Sequence, residues 1–146
     1  KIEGGENGRA LYMTKLSADL NVSGCTFNGA YAFNLNSAEK TQYAITFSNT
    51  VFKSWTSYAN AMKHAYFTGC TFEGTLKPYG DTTLTDCTFT SETLDLSGLE
   101  NGEKVTLINC TYNGVAGINA ELTASGVLKG NDQVEVSAQN KLVLKK

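Results

Sequence analysis

Apolar and polar positions along the chain follow a six-residue pattern that occurs five times. Each copy begins with an apolar residue, ends with Phe or Tyr, and carries Cys or Thr at its fourth position. The copies occupy Val22–Phe27, Phe47–Phe52, Phe67–Phe72, Leu84–Phe89 and Leu107–Tyr112. Successive copies start 25, 20, 17 and 23 residues apart. Repetition at this spacing is typical of a solenoid in which each repeat forms one coil.

Around each copy, apolar residues alternate with polar ones, which is the pattern of short strands with one buried face. Leu20 and Val22, for example, share a face, and so do Cys25 and Phe27. Between Val22 and Cys25 the alternation slips by one residue, so the chain must turn there to keep both pairs inward. The residue before Cys25 and its equivalents are types that adopt left-handed backbone conformations readily, and we expect them to form corners between strands. These corner residues are Gly24, Asn49, Gly69, Asp86 and Asn109.

The four cysteines all occupy one position of the pattern, which predicts that they stack in successive coils about 4.8 Å apart. Free cysteine packs as a small apolar side chain, so a column of reduced, buried thiols is favoured over disulfides. A zinc site is disfavoured because it needs four converging ligands and the single histidine lies outside the pattern. We expect no metal ion and no other cofactor. The column consists of Cys25, Thr50, Cys70, Cys87 and Cys110.

Each coil is expected to contain a further strand after the six-residue pattern, in the less regular segments at 30–35, 75–79, 93–96 and 115–118. Ala10–Met13 extends the first coil backwards, and a sixth, degraded copy is predicted at Leu122–Lys129, with Gly126 at its corner. The last residues alternate around Gln139–Asn140, which predicts a hairpin or final coil that caps the open end. We therefore expect a single domain, 1–146, with a lead-in at 1–9, about six coils at 10–129 and a cap at 130–146.

Composition and charge exclude some classes of function. Hydrophobic residues make up 41% of the 146 residues and charged residues 18%, with a net charge of −2. This balance argues against nucleic acid as a partner, because a phosphate backbone is bound by a basic surface. No apolar run reaches the roughly 18 residues of a membrane helix, so we expect no membrane insertion. The chain opens at Lys1–Gly5 like a piece cut from a longer protein, whose neighbouring domains are expected partners.

The repeated phrase resembles that of a known group of proteins. The Asn109–Tyr112 motif and the asparagine corner are similar to those of the right-handed β-helix region proteins that gut bacteria secrete or display on their surface. Residues 10 to 129 as a whole resemble the right-handed parallel β-helix of the pectate lyase superfold. The resemblance implies an all-β, right-handed parallel β-helix solenoid at an extracellular or bacterial cell-surface location. It leaves function open, because this superfold includes lyases, hydrolases, esterases, phage tailspikes and non-catalytic adhesins.

Residues that could cleave a polysaccharide are scattered along the sequence. A pectate lyase would need several acidic residues around calcium, and a glycoside hydrolase would need two carboxylates about 5 to 9 Å apart. The candidate catalytic acids are Asp81, Asp95 and Glu73, because stacked coils could bring Asp81 near either of the others. Solvated loop acids are the favoured interpretation. His64 has no recognisable nucleophile motif beside it and is expected at the surface or in packing.

Aromatic residues in or beside the irregular segments are candidate ligand-binding positions, since aromatic faces are common platforms for sugars. These residues are Trp55, Tyr58, Tyr66 and Tyr79. In the alternative interpretation, Trp55 packs a long loop onto the coil. Columns of Thr also suggest a hydrated face, but an ice-binding surface is disfavoured because Val51 and Tyr66 interrupt the columns.

Three functions remain open at this point. The leading prediction is a non-catalytic extracellular module for surface display, adhesion or binding of a polysaccharide or cell-surface glycan. The alternative is a carbohydrate-active enzyme, either a polysaccharide lyase or a glycoside hydrolase, or a fragment of one. A third is a structural spacer that stacks on neighbouring domains or subunits. Exposed aromatic and acidic residues on one sheet would favour binding or catalysis, whereas an open, apolar first coil near Ile2–Met13 would favour stacking.

Overall fold

The computed structural model describes residues 1–5, 7–36, 42–58, 63–91, 93–130 and 132–146, which form an all-β parallel β-solenoid. None of these residues is helical. The strands of the coils are β1 (Ile2–Glu3), β2 (Arg9–Met13), β3 (Leu20–Ser23), β4 (Thr26–Asn28), β5 (Tyr31–Leu35), β6 (Ile45–Ser48), β7 (Val51–Phe52), β8 (Trp55–Tyr58), β9 (Ala65–Thr68), β10 (Thr71–Phe72), β11 (Leu76–Lys77), β12 (Thr82–Thr85), β13 (Thr88–Phe89) and β14 (Val105–Tyr112). The strands after the coils are β15 (Val115–Thr123), β16 (Gly126–Gly130), β17 (Val134–Val136) and β18 (Leu142–Leu144).

The coils run past three faces in turn, so every third strand lies on the same face. The first face contains β3, β6, β9, β12 and the start of β14, and the second contains β1, β4, β7, β10, β13 and the end of β14. The third face contains β2, β5, β8 and β11. Neighbouring strands on all three faces are parallel, which confirms the predicted parallel β-solenoid. Five strands stack on the first face, so the chain makes about four full turns rather than the six expected.

The prediction of a sixth coil is wrong, because the chain reverses direction after β14. β15 pairs antiparallel with β14, and β16 pairs antiparallel with β15. The segment 115–118 and the degraded copy at Leu122–Lys129 therefore belong to antiparallel strands. Gly126 and Val127 match the repeat in sequence only, because alternation carries no information about strand direction. At the other end, β1 pairs with β4, so the expected lead-in at 1–9 already contributes to the second face.

All five predicted corner residues have left-handed backbone conformations at the junction of the first and second faces. The values of φ are 67° at Gly24, 49° at Asn49, 62° at Gly69, 52° at Asp86 and 51° at Asn109. Neighbouring corners also fit each other closely. A Cβ atom at Gly69 would lie 2.6 Å from Asn49 Oδ1, so a larger residue at this corner would require the Asn49 side chain to move.

Stacked aromatic rings fill the interior of the solenoid. The rings of Phe52 and Phe72 lie 5.0 Å apart and are nearly parallel, and those of Phe72 and Phe89 lie 4.8 Å apart. Phe47 and Phe67 form a second stack at 5.4 Å. All five side chains are buried, and burial of each one stabilises the fold by about 1.5–3 kcal/mol. Phe52, Phe72 and Phe89 thus occupy the same inward position in three successive coils.

The cysteine column consists of free thiols. Its inner members are buried, namely Thr50, Cys70, Cys87 and Cys110. The thiols donate hydrogen bonds to backbone carbonyls, as from Cys87 Sγ to Phe67 O at 3.4 Å. Contact with the thiols of Cys110 and Cys70, together with burial, raises the pKa of Cys87 well above its usual range. Cys25 is only half-buried, contrary to expectation, because it lies in the outermost layer at the N-terminal end.

The C-terminal end of the solenoid is closed by antiparallel strands. β15 runs along β14 and covers the edge of the first two faces. On the third face, Asp95 forms an antiparallel bridge with Lys141. β17 and β18 form the expected hairpin, with Asn140 at φ 61° in its turn. The hydroxyl of Tyr112 donates a hydrogen bond of 2.8 Å to Leu142 O, which ties this hairpin to the core.

Candidate functional site

Aromatic and cationic side chains lie next to each other on the outside of the third face. Arg9 of β2, Tyr31 of β5 and Trp55 of β8 are direct neighbours across three successive parallel strands. Equivalent positions of stacked strands are about 4.8 Å apart, so these residues form a row parallel to the solenoid axis. Tyr12 of β2 lies beside the start of the row. We call Arg9, Tyr12, Tyr31 and Trp55 the aromatic patch.

The members of the aromatic patch are in mutual contact. The rings of Tyr31 and Trp55 meet edge to face, with centres 5.1 Å apart and an angle of 72°. The guanidinium carbon of Arg9 lies 4.6 Å from the ring centre of Tyr12 and 5.2 Å from that of Tyr31. Such cation–π contacts contribute about 0.5–1 kcal/mol each at exposed sites. Tyr12 is 44% exposed and Tyr31 is 36% exposed, so the patch is accessible to a large ligand.

An irregularity in β5 explains why Tyr31 points outward. Tyr31 and Phe33 would share a face in a regular strand, yet Phe33 is fully buried and Tyr31 is exposed. The pairing with β8 shifts between them, since Tyr31 lies opposite Trp55 and Phe33 lies opposite Thr56. The extra residue, Ala32, therefore acts as a bulge that reverses the alternation. This bulge places Tyr31 beside Trp55.

A second row of side chains runs beside the aromatic patch. Tyr12, Asn34, Ser57 and Lys77 are neighbours across β2, β5, β8 and β11. Ser57 is buried, whereas Asn34 and Lys77 are half-exposed. Lys77 Nζ lies 5.5 Å from the ring centre of Tyr79, which is also half-exposed. The third face therefore offers an amide and an ammonium group next to the aromatic rings.

The four aromatic residues that the sequence suggested for ligand binding do not form one group. Trp55 belongs to the aromatic patch, and Tyr79 lies further along the third face beside Lys77. Tyr58 is fully buried, with its hydroxyl 2.6 Å from Thr82 Oγ1, which corrects the prediction that it contacts a ligand. Tyr58 occupies an inward position of β8, where burial raises the pKa of its hydroxyl. Tyr66 is 41% exposed but lies on the first face.

On the first face, Tyr66 stacks against His64. The two ring centres are 4.2 Å apart, and His64 Nε2 lies 3.0 Å from the hydroxyl of Thr83 on the next coil. Burial lowers the pKa of His64, and the negative charge of Asp81 opposes this effect. The imidazole is therefore neutral at pH 7 and joins two coils through its hydrogen bond to Thr83.

The three candidate catalytic acids lie in different parts of the coil, and each has a structural partner. Asp81, just before β12, accepts a hydrogen bond of 3.0 Å from the backbone amide of Lys104. Asp95, next to the C-terminal hairpin, accepts one of 3.0 Å from the backbone amide two residues later. Glu73, just after β10, forms an exposed ion pair of 3.2 Å with Lys53. Two of the carboxylates therefore accept hydrogen bonds from the backbone, and the third takes part in a surface ion pair.

An open groove of about 470 Å³ lies near the C-terminal end of the first face. Ile108 of β14, Asn119 and Glu121 of β15 and Lys129 of β16 line it. Its walls are largely apolar, and Ile108 is 42% exposed. The ion pair between Glu121 and Lys129, at 3.9 Å, lies at its edge. The groove is a consequence of β15 crossing the last coil, and sequence reasoning did not predict it.

Sequence reasoning also missed three members of the aromatic patch, namely Arg9, Tyr12 and Tyr31. Arg9 and Tyr31 are 22 residues apart, and Tyr31 and Trp55 are 24 apart, which matches the steps of the repeat. This spacing is the signal that could have identified the row. The spacing could not be recognised because apolar and polar residues do not alternate regularly in the third-face segments.

Within the described residues, no three His, Cys, Asp or Glu side chains are grouped so that they could hold a metal ion. The same part of the chain contains no helix that is long and apolar enough to cross a membrane. Comparisons with protein-family models, with curated proteins and with solved structures found no match for this chain.

Proposed function

We propose that this protein is a non-catalytic, extracellular module that binds a polysaccharide or cell-surface glycan through the aromatic patch. The observation that carries the proposal is the contact between Tyr31 and Trp55 on adjacent strands, flanked by Arg9. Aromatic rings offer a sugar an apolar face together with a polar rim. Because the row follows the solenoid axis, an extended glycan would cross the strands, with successive sugars over successive coils.

The rigid support of the aromatic patch favours binding. Its residues lie on β2, β5 and β8, which are paired in parallel, rather than on long loops. Inward neighbours such as Phe33 and Leu35 are fully buried, so these strands are anchored in the core. A site on rigid strands loses little conformational entropy when a ligand binds.

Cations at the two ends of the third face supply polar contacts for a glycan. Arg9 carries five N–H donors, and no described residue forms an ion pair with it. Lys77 offers an ammonium group beside Tyr79 at the other end. Both groups would donate hydrogen bonds to sugar hydroxyl or carboxylate oxygens.

The alternative, a polysaccharide lyase or glycoside hydrolase, has weaker support in this geometry. Hydrolysis of a glycosidic bond needs one carboxyl group to protonate the leaving oxygen and a second that acts as base or nucleophile. Asp81 and Asp95 instead accept backbone hydrogen bonds, and Glu73 pairs with Lys53. A bacterial cell-surface location completes the proposal, because the repeated phrase resembles that of secreted β-helix proteins.

The test is to incubate the purified chain with a panel of neutral and acidic polysaccharides, with and without calcium. Retention of the protein on the polymer and release of unsaturated or reducing-end products are measured in the same samples. We expect retention on at least one polymer and no products. Products would overturn the non-catalytic assignment, and failure to bind any polymer would overturn glycan binding.

A further inference from the structure

The three buried cysteines occupy equivalent positions in successive coils. Cys70 and Cys87 directly precede β10 and β13, Cys110 lies within β14, and the residues that follow them are in register. Thr88 N donates a hydrogen bond of 2.9 Å to Cys70 O, and Thr111 N donates an equal one to Cys87 O. The backbone therefore repeats from one cysteine to the next at the strand spacing of about 4.8 Å. We call Cys70, Cys87 and Cys110 the thiol triplet.

The thiol groups of the triplet repeat in the same way as the backbone. Each sulfur atom lies near two carbonyl oxygens, one two residues earlier in its own coil and one in the preceding coil. The own-coil distances are 3.6 Å from Cys70, 3.4 Å from Cys87 and 3.6 Å from Cys110. The distances to the preceding coil are 3.4, 3.4 and 3.3 Å in the same order. Because the three side chains make the same contacts, they share one orientation, and their sulfur atoms also follow each other at about 4.8 Å.

This spacing is too wide for a disulfide. A disulfide holds its two Cβ atoms about 3.5–4.5 Å apart. Equivalent Cβ atoms of neighbouring coils are about 4.8 Å apart, and the backbone hydrogen bonds beside the thiols maintain that distance. All three thiols of the triplet are free. Oxidation would have to pull two coils together, so the triplet is poorly arranged for redox chemistry between its members.

The same spacing suits a metal ion that takes two sulfur ligands in a line. Metal–thiolate bonds are about 2.3 Å long, so an ion midway between two sulfur atoms needs them about 4.6 Å apart. Cys87 has a neighbour at nearly this distance on each side. The described residues contain no group of three or more His, Cys, Asp or Glu side chains that could hold a metal ion, which disfavours zinc with its four ligands. The remaining class is a soft ion that thiolates select and that needs only two of them.

Burial determines the charge of the ion that fits. The side chains of the triplet are at most 1% exposed, and an uncompensated charge is costly at such a depth. A divalent ion that replaces the protons of two thiols forms a neutral unit. A monovalent ion between two thiolates would leave a net negative charge in the core. The mercuric ion is divalent, soft and stable with two sulfur ligands in a line, so it meets all three requirements.

We propose that the thiol triplet is a binding site for one soft, two-coordinate divalent ion of the mercuric class. Cys87 supplies one ligand, and either Cys70 or Cys110 supplies the other. Two sulfur–metal bonds form, the two bonds between the ion and its solution ligands break, and the two thiol protons pass to those ligands or to water. No electron is transferred. Both possible pairs include Cys87, and Cys70 and Cys110 are two strand spacings apart, so each chain holds one ion.

Thr50 indicates a substitution that should preserve the fold. It occupies the cysteine column one coil before Cys70 and is fully buried. Its hydroxyl donates a hydrogen bond of 2.9 Å to Ser48 O, which is equivalent to the own-coil acceptor of each thiol. A threonine in place of a triplet cysteine can therefore make the same bond while it removes the sulfur. Circular dichroism and melting curves verify that each threonine variant is folded.

The first test equilibrates the full chain with mercuric chloride in the presence of excess reduced glutathione, which competes for the ion. Native mass spectrometry counts the ions on each chain and the protons they replace. We expect one ion that replaces two protons, and X-ray absorption should show two sulfur ligands. A chain that gives up its ion to glutathione would overturn the proposal. An ion that replaces only one proton would also overturn it.

Three variants locate the site, with affinity measured from the glutathione concentration that removes the ion. Cys87→Thr should weaken binding at least about a hundredfold, since the ion loses one of its two bonds to the protein. Cys110→Thr should stay close to the wild type, because the pair of Cys70 and Cys87 remains. Cys25→Thr, which removes the half-buried thiol outside the triplet, is the matched control and should bind like the wild type. Unchanged affinity in Cys87→Thr, or loss of the ion in either of the other two variants, would contradict the proposal.

Discussion

The side-chain amide of Asn109 donates a hydrogen bond of 2.7 Å to the carboxylate of Asp86 on the preceding coil. Both residues have positive φ, so the bond joins two successive corners between the first and second faces. The backbone amide of Asn109 donates a further bond of 2.9 Å to Asn119 Oδ1 on β15. The corner column therefore connects the coils to the antiparallel strands that close the solenoid.

Replacement of the last corner residue should destabilise the fold through backbone strain. Asn109→Val places a β-branched residue at φ 51° and should lower the free energy of unfolding by about 1–2 kcal/mol. Asn109→Gly is the matched control, because it tolerates the same φ while losing the same side-chain amide, and it should cost less. Urea unfolding of the three proteins measures both differences. A Val variant as stable as the wild type would contradict the assigned corner.

Truncation within the ring stack should have a larger effect. Phe72 is fully buried between Phe52 and Phe89, so Phe72→Ala should lower the free energy of unfolding by about 3–5 kcal/mol. Tyr66→Ala removes an aromatic ring from the surface and should change the free energy of unfolding by only about 0.5 kcal/mol. Both values come from urea denaturation. Similar costs for the two variants would show that the stack contributes little to stability.

Thiol reactivity should separate the first cysteine from the other three. Each thiol donates a hydrogen bond to a backbone carbonyl, but Cys25 is half-buried, whereas Cys70, Cys87 and Cys110 are buried. We expect four reactive thiols in denaturant and, in the native protein, labelling of Cys25 before the others. Mass spectrometry of a labelling time course identifies the order. Equal native rates at all four positions would contradict the buried column.

The free energy of unfolding should decrease as the pH is lowered, because His64 becomes protonated. Burial lowers the pKa of His64 in the folded state, with Asp81 opposing, so the unfolded chain binds this proton at higher pH. The contribution is therefore fully present above the unfolded pKa of about 6.5 and is lost as pH falls through that value towards the lower folded one. His64→Gln, which retains a hydrogen-bonding side chain for Thr83, should show a shallower loss of melting temperature over this range. Identical slopes for the two proteins would exclude a role for His64.

The first and second faces could be predicted from the sequence because each position of the repeat accepts only a narrow range of residue types. Only Gly, Asn and Asp occur at the left-handed corner, and apolar residues recur before and after it, as at Phe67 and Phe72. The third face could not be predicted in the same way. The bulge at Ala32 reverses the alternation in β5, so a period of two assigns Tyr31 to the wrong side.

The end of the solenoid and the candidate site illustrate two further limits. Gly126 and Val127 imitate a corner, but strand direction depends on long-range pairing that a local pattern does not contain. Tyr58 was expected near a ligand because it lies in or beside an irregular segment, whereas the structure places it, fully buried, at the end of β8. Arg9 became a candidate only when the coils aligned it with Tyr31.

The most direct test of the central claim is the affinity of patch variants for the polysaccharide that retains the wild-type protein. Tyr31→Ala and Trp55→Ala should each weaken binding by about tenfold to a hundredfold, since each removes an aromatic contact. Tyr66→Ala, which removes an exposed ring from the first face, should bind like the wild type. Isothermal titration calorimetry or affinity electrophoresis measures all three. Unchanged affinity in both patch variants, or a loss only in Tyr66→Ala, would contradict glycan binding at the aromatic patch.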